Sequence, residues 1–460
     1  MISHLFAEHA LLPDGWGRDV LLQWNEQGQW HAILKGQTPG DHVPRATGPV
    51  LPGVPNLHSH AFQRALAGLT EYRSHASDCF WSWRTLMYRF AEKLNPEQLE
   101  AIATGLYVEM LEAGFTSVCE FHYLHHDAQG HVYADPAEMS LSLLRAAKRT
   151  GIGLTLLPVL YQTSGFGGVA PTPGQCRFIN SAEAMLRLLD RLRPLCQAES
   201  ARLGLAPHSL RAVPPDSLQE VLAGLDAMDA TAPIHIHIAE QRAEVDACLA
   251  WSGQRPVSWL LDHAPVDERW CLVHATHMDA QEYQRAAQRG VVAGLCPTTE
   301  ANLGDGIFEF NTWQSHKGKW GIGSDSHITV HPAEDLMMLE YSQRLALRQR
   351  NVAANATQPN VAEALWQGAV AGGAQAAGRP VAGLAVGQQA DFIVLDPVHP
   401  ALAGLSPEMM LASHVFASSR TSAIAQVWLS GQPLVQQGRH ALHDVAMAGL
   451  VQVRSQLLKD

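Results

Sequence analysis

Eight short apolar runs rich in β-forming residues recur along the central part of the chain, and longer amphipathic stretches separate them. Strands that are apolar on both faces are typical of parallel sheets covered by helices. Eight such strands alternating with helices predict an α/β fold built on a (β/α)₈, TIM-like barrel. The runs are residues 50–60, 116–124, 152–161, 202–209, 233–240, 269–276, 290–298 and 319–326.

The two ends of the chain differ from this central region. Residues 1–50 contain turn signals and short β-like pieces, and residues 390–397 and 422–440 again predict strands and hairpins after a helix at residues 361–378. We therefore predict a small composite β-sandwich domain from residues 1–50 and 379–460, beside a catalytic barrel of residues 51–378.

Composition and charge narrow the classes of protein. The chain has 460 residues, of which 47% are hydrophobic and 17% charged, as in soluble globular proteins and not in disordered ones. The net charge of −12 argues against nucleic acid or an anionic membrane as the partner. The N-terminus lacks the basic flank of a signal peptide, and no apolar run is long enough to span a membrane. Seven scattered cysteines without a Cys-x-x-Cys pair predict reduced thiols in a cytoplasmic protein.

Proton-transferring and metal-binding side chains gather at the predicted strand ends. Barrel enzymes place their chemistry at the carboxyl ends of the strands, and residues two apart on a strand point to the same side. These groups are His58 and His60 in the first run, His237 and Glu240 in the fifth, His274 in the sixth and Asp325 in the eighth. Their convergence predicts a metal site.

Two other histidine groups receive different predictions. His235 shares a strand side with His237, and we expect it to be a structural histidine of the barrel because His237 lies nearer the strand end. His122, His125 and His126 follow the second strand, and we expect them to be surface or loop histidines.

These motifs resemble the amidohydrolase superfamily in its deaminase branch. The resemblance rests on His58-x-His60, His237-x-Ala239-Glu240, His274 and Ser324-Asp325, with residues 390–392 similar to the satellite domain of that superfamily. Members with two metals bridge them with a carboxylated lysine at a strand end. None of the lysines here follows a predicted strand of the barrel, which favours one divalent metal per chain.

The resemblance implies a ligand set and catalytic roles. The metal ligands would be His58, His60, His237 and Asp325, and nitrogen and carboxylate ligands suit Zn²⁺ best. Such a metal lowers the pKa of its bound water toward about 7 and supplies a nucleophile at neutral pH. Asp325 would accept the proton of the water, His274 would orient the attacking oxygen and Glu240 would protonate the departing nitrogen.

Further polar residues near the strand ends point to a substrate. Arginines at the mouth of a metal pocket favour a dicarboxylate, because guanidinium groups pair bidentately with carboxylates. Residues 81–94, 121–126, 206–213, 235–241, 324–330 and 339–351 resemble the family of formiminoglutamate deiminases. That family hydrolyses N-formimino-L-glutamate to N-formyl-L-glutamate and ammonia in histidine degradation. The resemblance implies a homodimer and substrate contacts from Gln63, Arg84, Tyr123, His208 and Arg211.

Two alternatives remain at this point. The first is a related deaminase of a heterocycle such as guanine, whose planar ring favours stacking partners over paired arginines. The second is a catalytically silent metal-binding or assembly protein on the same fold, since a fold does not determine function. Glu240, an acid that binds no metal, speaks against the second alternative.

Overall fold

The computed structural model describes residues 2–72, 80–418 and 421–459. The strands of these residues are β1 Ser3–Leu12, β2 Gly15–Trp24, β3 Trp30–Leu34, β4 Val50–Pro52, β5 Val54–Ser59, β6 Phe115–His122, β7 Gly153–Leu160, β8 Arg202–Leu203, β9 Ala206–Pro207, β10 Ile234–Ile238, β11 Trp270–His274, β12 Val292–Leu295, β13 Lys319–Ile322, β14 Phe392–Leu395, β15 Ile424–Leu429, β16 Gln432–Gln436 and β17 Arg439–His440.

The helices alternate with the barrel strands and continue beyond them. They are α1 Phe80–Ala91, α2 Pro96–Ala113, α3 Glu138–Thr150, α4 Ala182–Ala198, α5 Pro215–Met228, α6 Arg242–Ser252, α7 Pro256–His263, α8 Ala280–Gln288, α9 Pro297–Leu303, α10 Phe310–Ser315, α11 Pro332–Leu347, α12 Val361–Ala377, α13 Pro407–Ala417 and α14 His443–Leu457. Two 3₁₀ helices span Ala61–Leu66 and Pro173–Phe178.

The central strands close into a parallel barrel. Strands β5 to β8 form one sheet, with β9 also paired to β7, and β10 to β13 form a second sheet. Parallel bridges between Leu205 and Ile234 and between Ser59 and Asp325 join the two sheets at both seams. The short pieces β8 and β9 together occupy the fourth position, so each of the eight predicted runs supplies one position of the barrel.

Both ends of the chain contribute to a separate eight-stranded sheet with the order β17-β16-β15-β14-β4-β1-β2-β3. Its buried face is aromatic: the Trp24 ring lies 5.8 Å from that of Trp30, and Phe392 stacks on Trp428 at 5.3 Å. The predicted fold class, an α/β barrel beside a small β-sandwich domain built from both termini, is confirmed. The domain boundaries at residues 50 and 379 remain a prediction.

The chain passes from the terminal sheet into the barrel at Gly53, so the predicted single run of residues 50–60 is divided. Strand β4 pairs with β1 and β14, whereas β5 pairs with β6 of the barrel. A Cβ atom at Gly53 would lie 2.2 Å from Cγ2 of Thr116, so a larger residue would push the two elements apart. Because the first barrel strand starts directly after this junction, the terminal sheet anchors the strand that carries His58 near its end and is followed directly by His60.

The predicted reduced thiols can be compared with the structure at six of the seven cysteines. Cys119, Cys176, Cys196, Cys248, Cys271 and Cys296 are free thiols, and Cys79 lies outside the described residues. Among the helices that the structure describes, none has the length and apolar character needed to cross a bilayer.

Candidate active site

The four predicted ligands gather around His58 at the carboxyl ends of the barrel strands. The Nε2 atom of His58 lies 3.1 Å from Nε2 of His60 and 3.0 Å from Nε2 of His237. Oδ1 of Asp325 lies 3.4 Å from Nε2 of both His58 and His60. Ligands about 2.0–2.1 Å from one zinc ion and about 90–110° apart are separated by about 2.8–3.4 Å. The distances between these pairs therefore lie in the range of ligands on one small cation, and His58 belongs to two candidate metal groups, one with His60 and Asp325 and one with His237 and His274.

The protonation of these side chains also fits a cation. Burial lowers the pKa of His58 to about 3, and burial likewise lowers the pKa values of His60 and His237. Nδ1 of His60 lies 2.9 Å from the carbonyl oxygen of Phe121 and donates its proton there, which leaves a lone pair on Nε2. Nε2 atoms of neutral rings that lie only 3.0–3.1 Å apart form an arrangement that a positive ion between them stabilises.

His274 stands beside this cluster among carboxylates. Its Nε2 atom lies 3.9 Å from Oε1 of Glu240 and 3.9 Å from Oδ2 of Asp325, and its Nδ1 atom lies 3.3 Å from Oε1 of Glu300. Burial opposes the charged ring, but the three carboxylates outweigh it and raise the pKa of His274 to about 10. Burial raises the pKa of Glu240 to about 7, with Asp325 contributing. His274 is thus a cationic hydrogen-bond donor. It faces the same point as Glu240, whose carboxyl group has a pKa of about 7.

The backbone of the site is strained where these side chains emerge. The φ angle is +51° at Ala239, +66° at His274 and +46° at Asp325, in a region that residues other than glycine rarely adopt. Each such residue costs about 1–3 kcal/mol and persists only where surrounding structure holds it. The strained turns redirect the chain so that Glu240, His274 and Asp325 face the cluster.

One cavity opens onto the cluster, and all five predicted substrate residues line its wall. These are Gln63, Arg84, Tyr123, His208 and Arg211, together with His60, His237, Glu240, His274 and Asp325. Nε2 of Gln63 donates to the hydroxyl of Tyr123 over 3.0 Å, which connects the first and second strand ends. Arg211 is buried, and although burial opposes its charge, the nearby Glu244 raises its pKa. The guanidinium therefore stays cationic.

The same cavity has an aromatic and apolar lining that the sequence analysis missed. Its members are Trp83, Met87, Tyr88, Tyr161, Phe178 and Leu303. Tyr161 directly follows β7, so the strand-end argument applied to Tyr123 would have found it. Trp83, Met87 and Tyr88 lie on α1 with Arg84, at a helical spacing that could equally face a core.

His122, His125 and His126 were expected to be surface or loop histidines: His125 and His126 do lie in the loop after β6, His122 lies on β6 itself, and all three side chains are buried. Nε2 of His125 lies 2.9 Å from the carbonyl oxygen of Val159, and Nε2 of His126 lies 2.8 Å from that of Ile179. These bonds satisfy ring nitrogens inside the protein. The partner carbonyls belong to distant segments, so local sequence does not show them.

The structure also places His235, Lys319 and the pair His331-Pro332. Nε2 of His235 lies 2.8 Å from the carbonyl oxygen of Ala376, away from the cluster. Lys319 begins β13 at the end of the barrel opposite the site. His331 caps the start of α11 by accepting from the N–H of Ala333 over 3.2 Å, with Pro332 in the first turn. The loop after the eighth strand therefore ends in a capped helix.

Comparisons with known proteins agree with this arrangement. The model of the amidohydrolase family matches residues 50–434. A formimidoylglutamate deiminase of Pseudomonas aeruginosa is 51% identical over 99% of this chain and 100% of its own length. The crystal structure of an amidohydrolase from Brucella melitensis superposes with a TM-score of 0.94 at 48% identity, covering 99% of this chain and 100% of that one.

A more distant structure shares the fold alone. An adenosine deaminase from Xanthomonas campestris, solved with bound zinc, superposes with a TM-score of 0.79 at 21% identity and covers 99% of this chain and 98% of that one. The matched family model spans the whole barrel together with strands β4, β14 and β15 of the terminal sheet, and the near relative matches end to end. The chain therefore belongs to the amidohydrolase family.

Proposed function

We propose that this chain is a metal-dependent deiminase that hydrolyses N-formimino-L-glutamate to N-formyl-L-glutamate and ammonia, a step of histidine degradation. The observation that carries the proposal is the distribution of charged groups in the cavity. Its inner end holds the histidine and carboxylate cluster around His58 and Asp325, and its wall holds the guanidinium groups of Arg84 and Arg211. A linear substrate that carries one amidine and two carboxylates, one of them at the far end of its side chain, matches this distribution of charge. The near relative named formimidoylglutamate deiminase supports the same assignment.

We assign the metal to His58, His60, His237 and Asp325, as one divalent ion per chain and most suitably Zn²⁺. Three neutral imidazoles and one carboxylate are the donor set that zinc prefers in catalytic sites. The ion would supply an activated water and polarise the amidine carbon. Lys319, which begins the eighth barrel strand, lies at the wrong end of that strand to bridge a second metal.

The remaining chemistry belongs to side chains that bind no metal. Asp325 is positioned to accept the proton of the attacking water. The cationic His274 donates a hydrogen bond toward the attacking oxygen and fixes its direction. Glu240, with a pKa near 7, exchanges protons readily at neutral pH and can deliver one to the departing nitrogen, which leaves as ammonia. Gln63, Tyr123 and His208 would orient the substrate between these groups and the arginines.

A specific observation also favours a second candidate, a heterocycle deaminase. The rings of Tyr88, Tyr161 and Phe178 line the cavity and could stack on a purine. A neutral purine, however, offers no carboxylates to the buried guanidinium of Arg211, which would then face an uncharged ligand. The linear substrate therefore fits better.

The assembly and location complete the proposal by family resemblance. We propose a cytoplasmic homodimer. Light scattering on the purified protein should then give about twice the chain mass of 50.1 kDa. A mass of one chain at micromolar concentration would contradict the dimer without affecting the chemistry.

The experiment that tests the function is an ammonia-release assay on the zinc-loaded protein with formiminoglutamate, guanine and adenosine in parallel. We expect ammonia from formiminoglutamate only, with N-formyl-L-glutamate identified by mass spectrometry in equal amount. Turnover of a purine with none of formiminoglutamate would replace the proposal by the second candidate. Glu220→Gln, which changes an exposed residue on α5, is the control for activity that is lost during preparation of a variant.

A further inference from the structure

A continuous chain of buried hydrogen bonds runs next to the candidate metal ligands, and none of its members lines the cavity. It consists of Asn56, Ser324, His327, Ser59 and Glu120, and all five side chains are buried. We refer to it as the Asn56–Glu120 chain. Its members lie on or directly after strands β5, β6 and β13, so it joins the first, second and eighth positions of the barrel.

Each bond of the chain has a defined direction. Nδ2 of Asn56 donates to Oγ of Ser324 over 2.7 Å, while Oδ1 of Asn56 accepts from the N–H of Ser324 over 3.1 Å, which fixes the orientation of the amide. Oγ of Ser324 lies 3.0 Å from Nδ1 of His327 and donates to it. Nε2 of His327 lies 3.3 Å from Oγ of Ser59 and donates to that oxygen. Every link therefore has one donor and one acceptor when His327 is neutral with its proton on Nε2.

Glu120 terminates the chain as an acceptor. Its Oε2 atom accepts from the hydroxyl of Ser59 over 2.7 Å and from the hydroxyl of Tyr107 over 3.2 Å, and its Oε1 atom accepts from the N–H of Ala61 over 2.6 Å. The only proton of the Ser59 hydroxyl thus goes to Glu120. This leaves the Ser59 oxygen to accept from His327, which sets the direction of the whole chain.

The position of the chain relative to the ligands gives it a role. Ser59 stands between His58 and His60, and Ser324 directly precedes Asp325. The residue after Glu120, Phe121, offers its carbonyl oxygen to Nδ1 of His60. The chain and its neighbours therefore hold the two turns that present three of the four ligands.

We propose that Ser59, His327 and Glu120 are positioning residues. They set the spacing of His58, His60 and Asp325 for the metal. This inference rests on the metal-dependent hydrolase proposed above. A partner that orients a ligand from behind typically changes metal affinity about 10–100-fold when it is lost. Breaking the chain should therefore weaken metal binding by that factor while the substrate side of the cavity is unchanged.

The test compares zinc affinity in variants that break the chain with a control that does not. Ser59→Ala removes the central oxygen, and His327→Phe removes both ring nitrogens while retaining the bulk. Tyr107→Phe is the control, because it removes a buried hydrogen bond to the same Glu120 carboxylate from the helix side, without touching a ligand turn. The metal-free proteins are titrated with Zn²⁺ against a chromogenic chelator, and the melting temperature of each metal-free form is recorded.

We expect Ser59→Ala and His327→Phe to bind Zn²⁺ about 10–100-fold more weakly than the parent, and Tyr107→Phe to keep the affinity of the parent. A general packing role would lower the melting temperatures of all three variants without separating their affinities, and that result would overturn the inference. Should His327→Phe fail to fold, Ser59→Ala, which loses a single oxygen atom, decides the question alone.

The same experiment separates this inference from the proposed function. If the parent binds Zn²⁺ but releases no ammonia from formiminoglutamate, the function is wrong while the affinity comparison still decides the role of the chain. If the parent turns over formiminoglutamate and the chain variants keep its zinc affinity, only the positioning role is wrong.

Discussion

The Nδ1 atom of His274 lies 3.3 Å from Oε1 of Glu300, on the side of the ring opposite the metal cluster. Glu300 is itself fixed, because the same oxygen accepts from the N–H of Cys296 over 2.9 Å. A carboxylate in this position orients the imidazole and stabilises its charged form. The segment that follows β12, the seventh strand of the barrel, thus acts on the site through His274, although it contributes none of the proposed ligands.

Replacing Glu300 by Gln should shift the high-pH limb of activity toward lower pH. Glu300 is one of three carboxylates that raise the pKa of His274 to about 10, so its loss lowers that pKa and the ring loses its proton earlier as pH rises. The measurement is kcat against pH from neutral to alkaline values. Glu268→Gln, at the opposite end of the strand that leads to His274, should keep the parental profile. An unchanged alkaline limb in Glu300→Gln would remove the coupling.

The Glu240→Gln variant should keep its metal and lose ammonia release. The amide is nearly isosteric with the carboxyl group but cannot donate an acidic proton to the leaving nitrogen. Loss of a general acid typically costs about 10²–10⁴-fold in rate. Metal content by elemental analysis and kcat by ammonia release are measured together, and turnover near the parental rate would exclude Glu240 from proton transfer.

The barrel and the ligand set could be predicted because both depend on local patterns. Apolar runs identify buried parallel strands, and the strand period places His58 and His60 on one side. Knowing that barrel chemistry collects at one rim then connects His237, His274 and Asp325, which are far apart in sequence.

The parts that were missed depend on contacts between distant segments. Glu120 and His327 appear in sequence as an ordinary strand acid and a loop histidine, and only the closed barrel brings them to Ser59. The burial of His125 in its loop was missed for the same reason, since its partner is the carbonyl oxygen of Val159 on the next strand. Backbone carbonyls are present at every position and so leave no signal in composition.

Substitution of either cavity arginine should reduce activity on the full substrate selectively. Hydrogen bonds to charged groups are worth roughly 1.5–3 kcal/mol, which corresponds to about 10–100-fold in kcat/KM for Arg84→Met or Arg211→Met. An analogue lacking one carboxylate should be a poor substrate for the parent and lose little more in the matching variant. Arg89→Met, exposed on the same helix as Arg84, is the control and should behave as the parent.

One outcome would contradict carboxylate recognition by these two arginines. If Arg84→Met and Arg211→Met lower kcat/KM by the same factor on the full and the truncated substrate, the arginines act on stability or shape. The heterocycle deaminase would then become the better proposal, and the aromatic rings of Tyr88 and Tyr161 its first residues to test.

The central claim, one metal that serves the hydrolysis of formiminoglutamate, is tested most directly by titrating the metal-free protein with Zn²⁺ while ammonia release is followed. With His58, His60, His237 and Asp325 as the ligand set, activity should be absent after chelation. It should rise linearly with added Zn²⁺ and reach its plateau at one equivalent per chain. Full activity in the metal-free protein, or a plateau only at two equivalents, would contradict the account.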